Sequence, residues 1–116
     1  MNLDAKINMV GFEIVKAIQE KNKDKKTKYK NFIDKALGVL ANDGVYAYWV
    51  YCKANKITDV FIDKLEKLQR IINNEEDNET FFKELSNEIN QLLFFKEMVE
   101  KTLIYARYHA KAMKDE

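Results

Sequence analysis

Val45-Tyr46-Ala47-Tyr48-Trp49-Val50-Tyr51-Cys52 is the stretch on which the fold turns. Its β-branched and aromatic content would suit a buried strand, and in so short an apolar run periodicity does not separate strand from buried helix. A strand needs a partner, and no other segment of the chain reads as β. The stretch is therefore expected to be a central helix, apolar nearly all round because neighbours surround it. Composition agrees. The chain has no proline and only three glycines, Gly11, Gly38 and Gly44, whereas turns and strand corners lean on both residue types. The expected class is all-α: a compact bundle of about five to six helices with a long C-terminal one.

Upstream of the stretch, Asn42-Asp43-Gly44 is a break, since all three residues tolerate or favour turn geometry. Residues 29–41 carry a helical period in Tyr29, Phe32/Ile33, Ala36/Leu37 and Leu40. Before them, Lys21, Lys23, Lys25, Lys26, Lys28 and Lys30 are opposed only by Asp24, which reads as a solvated linker running into the next helix. Residues 2–20 place Leu3, Ile7, Val10, Ile14 and Ala17/Ile18 on one helical face.

Downstream, Thr58 or Asp59 can cap a helix presenting Phe61, Leu65, Leu68 and Ile72. Residues 73–80 read as an acidic loop, with Glu75, Glu76, Asp77 and Glu79. The last helix begins near Thr80, with room for a break around Ser86-Asn87. Its buried face is Leu92, Phe95, Val99, Leu103, Ala106, Ala110 and Met113, and the alanines leave space for close helix approach.

A chain of 116 residues fits a single helical domain, residues 1–116, burying roughly two-thirds of the surface its unfolded form exposes. Apolar residues make up 47% and charged residues 34%, a globular mix. No apolar run approaches the ~20 residues of a membrane-spanning helix, and residues 1–6 do not open a secretory signal. Cys52 alone forms no internal disulfide and fits a reducing compartment, so the expected location is cytoplasmic, with no membrane partner. Twenty basic against 19 acidic residues leave a net charge of +1. Total charge thus points to no partner, and only its distribution can.

Catalytic constellations are absent from the sequence. His109 and Cys52 are the sole histidine and cysteine, too few for a zinc site of the Cys/His type. There is no phosphate-binding glycine loop, dinucleotide fingerprint or nucleophile elbow. Arg107 and His109 lie roughly 200° apart on a helix, which fails the spacing of small helical ribonucleases. Glu75/Glu76 and Glu97/Glu100 lack a supporting ligand sphere and read as loop and surface pairs. Cys52 reads as a small buried hydrophobe and His109 as a rim residue. No enzyme activity, metal, cofactor or small-molecule substrate is expected.

Two features could bind a partner. The lysine run, interleaved with Thr27 and Tyr29, offers charge to phosphates, which dominate nucleic-acid affinity. Only Arg70 and Arg107 are arginines, which favours point-charge backbone contacts over bidentate base reading. On the last helix Arg107, Lys111 and Lys114 form one stripe at i, i+4, i+7, and Lys101, Tyr105 and Tyr108 form another. Basic groups interleaved with aromatics suit single-stranded nucleic acid, on whose bases the rings can stack. Each pattern also has a plainer account. A lysine run can be only a solvated segment, and rim tyrosines reach water without any ligand.

Two segments carry a family resemblance. One runs from Tyr29 through Asp43-Gly44-Val45 into the apolar stretch and on to Lys53-Ala54; the other is an aromatic-x-Arg-x-x-Ala-x-Ala pattern in Tyr105, Arg107, Ala110 and Ala112, followed by Met113. In order, spacing and chain length this resembles the small, all-helical subunit of the type III-B CRISPR Cmr effector complex, over about half the chain. Leu37 stands where that family often has proline. Tyr108 and His109 stand where it often has a basic residue and phenylalanine. The resemblance implies a non-catalytic subunit stacked with copies of itself beside the other Cmr effector subunits, next to the backbone that holds the guide RNA and helping to line the groove taken by the target RNA. The candidate RNA contacts are then Lys21, Lys23, Lys25, Lys26, Lys28, Lys30, Lys101, Arg107, Lys111 and Lys114. The alternative is a helical adaptor that binds only protein.

Overall fold

In a computed structural model the described residues, 2–72, 77–85 and 87–113, are helical throughout apart from short connections. The helices are α1 (Leu3–Gln19), α2 (Lys23–Asp43), α3 (Val45–Ala54), α4 (Thr58–Phe61), α5 (Glu66–Ile72), α6 (Asn78–Leu85) and α7 (Ile89–Ala112), with a 3-10 turn at Asp63–Leu65. Taking Thr58 to Ile72 as one broken rod leaves six helical units among the described residues. The all-α class and the long last helix are as expected. One core runs through these elements, and the radius of gyration is 13.5 Å.

The decisive stretch is helical, but it is not surrounded. In α3, Val45, Tyr48, Trp49 and Cys52 are buried while Tyr46 and Val50 are exposed. That is an i, i+3, i+4, i+7 face, so the uniform apolarity of the sequence concealed an ordinary one-sided helix. Tyr48 anchors it, its hydroxyl donating to the Phe61 carbonyl at 2.6 Å from a fully buried position. Upstream, Asn42 and Asp43 still belong to α2, and Gly44 alone makes the break at φ 97°. Its N–H closes the helix on the Leu40 carbonyl.

The lysine run is not a linker. The Asn22 side chain accepts from the Lys25 N–H at 3.0 Å, and α2 begins at Lys23. Lysine propagates helix well, and the buried Tyr29, Ile33, Ala36 and Leu40 supply the packing that a charged first turn lacks. The rod at 58–72 corrects a second expectation. Ile57 occupies the N-cap position without a side-chain cap, so neither Thr58 nor Asp59 serves there. Val60, Phe61 and Ile62 are all buried; a regular helix would turn three consecutive residues through roughly 200°, and the break at Ile62 brings them all inside.

Of the expected acidic loop, residues 73–76 lie outside the described residues, and Asn78 to Thr80 already belong to α6. Asp77 accepts from the Thr80 N–H at 2.8 Å. Phe81 and Phe82 of α6 pack edge-on against Phe95, and Phe82 stacks on Trp49 at 5.5 Å. α6 and α7 are separate helices, with Asn87 and Glu88 between them among the described residues.

Helix α7 is the strut on which α1, α2 and α5 pack. It buries Phe95, Met98, Val99, Thr102, Leu103 and Ala106, with Leu92, Ala110 and Met113 half-buried. The close approach expected at Ala106 exists, and its other half is Gly11. A Cβ there would stand 2.9 Å from both the Thr102 carbonyl oxygen and the Tyr105 Cβ. Gly11 thus lets α1 lie backbone-close to α7. No helix of the described residues is long and apolar enough to cross a membrane.

Candidate nucleic-acid interface

Lys30, Ile33 and Asp34 of α2 face Arg107, Ala110 and Lys111 of α7 across an open groove of about 190 Å³. Both helices contribute at i, i+3, i+4, the spacing that keeps three side chains on one face. Ile33 and Ala110 make an apolar floor, and Lys30, Arg107 and Lys111 stand round it. Among the described residues the one carboxylate in the lining is Asp34, whose Oδ1 lies 3.3 Å from Arg107 Nη1. The end of the lysine run and the C-terminal stripe, more than 70 residues apart in sequence, therefore meet at one site.

The rest of the run divides around α2. Lys23 and Lys26 precede Lys30 at i, i+3, i+7 and lie on its flank. Lys25 and Lys28 lie on the opposite flank, where the Lys28 amine sits 5.9 Å over the Phe32 ring. Lys35, missed in the sequence, lies over that ring at 5.6 Å, and Phe32 meets Tyr51 edge-on. The i, i+7 spacing of Lys28 and Lys35 was the signal that could have found it.

Lys21 has a different task. Its amine is 2.7 Å from Asp59 Oδ2 and 4.5 Å over the Tyr29 ring. The Tyr29 hydroxyl donates to Asp59 Oδ1 at 2.9 Å, and the Lys56 carbonyl oxygen lies 3.3 Å from the same hydroxyl. Burial, then the hydrogen bond to Asp59 and that carboxylate's charge, push the phenol up to about 12. Burial works to raise the Asp59 carboxyl, but hydrogen bonds from Lys21 and Tyr29 and the Lys21 charge outweigh it and hold it below its ordinary value. Lys21 is thus a staple between α1, α2 and α4.

Lys101, Tyr105 and Tyr108 line a second groove of about 380 Å³ with Asp4 and Ile104. It lies where α7 faces α1, so the two stripes of α7 flank its buried face and do not converge. Lys101 pairs with Glu97 at 3.3 Å. Tyr108 is 60% exposed and free to meet a planar ligand. His109 lies within hydrogen-bond distance of Asn8, 2.8 Å, and edge-on to Phe12, a rim contact between α7 and α1. Lys114 lies outside the described residues.

Compared with protein-family models, curated proteins and solved structures, the chain matches none. None of the three lends support to the resemblance read from its motifs, and the site has to be judged on its geometry. Among the described residues no three His, Cys, Asp or Glu side chains come together as metal ligands. Cys52 is fully buried, and burial pushes its thiol up to about 12, the reverse of an activated nucleophile.

Proposed function

We propose that this protein is a non-catalytic, cytoplasmic, RNA-contacting subunit that binds strand phosphates along the α2–α7 groove. The observation that carries the proposal is the meeting of Lys30, Arg107 and Lys111 from two distant segments around an apolar floor. Lys23 and Lys26 extend the same flank, and the second groove offers Lys101 with two exposed tyrosines for bases. The motif resemblance suggests the setting: an RNA-guided effector of the type III-B CRISPR Cmr kind, in which such a subunit stacks beside the backbone and meets target RNA.

The test is fluorescence anisotropy of the purified protein with a labelled single-stranded RNA over a range of salt, followed by recovery of guide RNA and effector subunits on the tagged chain. Binding should weaken with salt, the slope falling by roughly 0.7 for each phosphate contact removed. Arg107→Ala with Lys111→Ala should flatten that slope. An unchanged slope and affinity would overturn the proposal.

A second reading has its own observation. Leu3, Ile89, Leu93 and Phe94 are exposed large apolar side chains on α1 and α7, as an adaptor that binds only protein would present. Recovery of a protein partner without RNA, lost on Leu93→Glu, would favour it.

A further inference from the structure

Among the described residues, Asp34 is the only acidic side chain lining the α2–α7 groove, and it stands on the same helix face as Lys30. Its contact to Arg107 is a single one, Oδ1 to Nη1 at 3.3 Å, between side chains that both remain open to water. Exposed pairs of this kind hold weakly and are screened by salt. Among the described residues, neither side chain makes a second hydrogen bond that would fix the pair in place. A phosphate entering the groove meets Arg107 with Lys30 and Lys111 beside it, and Asp34 is the group it must displace.

We propose that Asp34 is a built-in competitor that holds Arg107 until a polyphosphate strand takes its place. An isolated anion gains one cation at the expense of one carboxylate. A strand that engages Lys30 and Lys111 at the same time compensates for the displaced pair, so the groove favours polyanions over single anions. Asp34 thereby sets a threshold for the RNA binding proposed above, and the inference rests on that reading only for the identity of the polyanion.

The test is a double-mutant cycle with Asp34→Asn and Arg107→Ala, using single-stranded RNA and, separately, inorganic polyphosphate. Asp34→Asn should tighten binding about two- to fivefold, the range of an exposed ion pair, and should steepen the salt dependence. In the Arg107→Ala background the gain should disappear. An equal gain in both backgrounds would mean that Asp34 acts only through its long-range field, and would overturn the proposal. Absence of any gain with either probe would overturn it too. If RNA fails to bind while polyphosphate shows the Arg107-dependent gain, the competitor stands and the RNA reading falls.

Discussion

The staple at Lys21 and the groove at Arg107 are built from the same parts and do opposite things. Each joins a cation to an aspartate across helices, and each involves α2. Lys21 approaches Asp59 to 2.7 Å with its side chain 20% exposed, roofed by Tyr29, whose hydroxyl also grips that carboxylate. Arg107 approaches Asp34 to 3.3 Å with its side chain 37% exposed and, among the described residues, no ring over its cation. Enclosure by Tyr29 turns one pair into a joint of the fold, while openness leaves the other available to a ligand. Residue type alone does not tell a structural lysine from a binding one; its surroundings do.

The staple breaks most severely at its ring. Tyr29→Ala should cost about 3–5 kcal/mol, as for other buried aromatics, read as a lowered midpoint in denaturant. Next comes α7, which carries half the groove. Gly11→Ala should destabilise by about 1–3 kcal/mol despite the better helix propensity of alanine, because the new Cβ meets the Thr102 carbonyl. A midpoint equal to or above that of the parent would show that α1 and α7 part without cost.

Titration probes the staple without large damage. The Tyr29 phenol is raised to about 12, so its contribution to stability is whole below the ordinary value of about 10 and is lost as pH rises from 10 toward 12. The Asp59 carboxyl is lowered, so its contribution is whole above about pH 4 and is lost as pH falls through its folded value. Tyr29→Phe should flatten the alkaline limb of a stability–pH curve, and Asp59→Asn should flatten the acid limb at a cost of about 1 kcal/mol at neutral pH.

The smallest effect on stability sharpens the comparison most. Arg107→Ala should change stability by less than about 0.5 kcal/mol while weakening RNA binding severalfold. Lys21→Ala should do the reverse, lowering the melting temperature and leaving affinity for RNA within about twofold. Equal losses of affinity in the two variants would erase the distinction drawn between staple and groove.

Much of the fold was legible. The periods in α1 and α7 named most of their buried faces, because apolar spacing reports directly which side of a helix meets the core; Leu3, expected on the α1 face, is exposed, and Val15 and Met98 join the core unannounced. Helix α3 was legible in type but not in orientation, since Tyr46 and Val50 are as apolar by composition as Tyr48 and Trp49, and only the positions of α2, α4 and α6 decide which pair is covered. The start of α2 was misread because a run of lysines has no apolar period of its own, and its helicity comes from the Asn22 cap and the packing further along. Of the candidate site, the basic stripes were visible as spacing. That Lys30 joins Arg107, that Lys21 leaves for Asp59, and that Asp34 meets Arg107 were invisible, because they depend on contacts between residues far apart in the chain.

By itself the sequence determined that the chain is helical, where its long last helix turns its apolar face, and where its basic residues fall along the helices. Those are local properties, set by periodicity, capping and the scarcity of proline and glycine. The tertiary structure decided which of the lysines are free for a partner and which are held. That choice depends on the cover and the counter-charge each one meets when α1, α2, α4 and α7 come together.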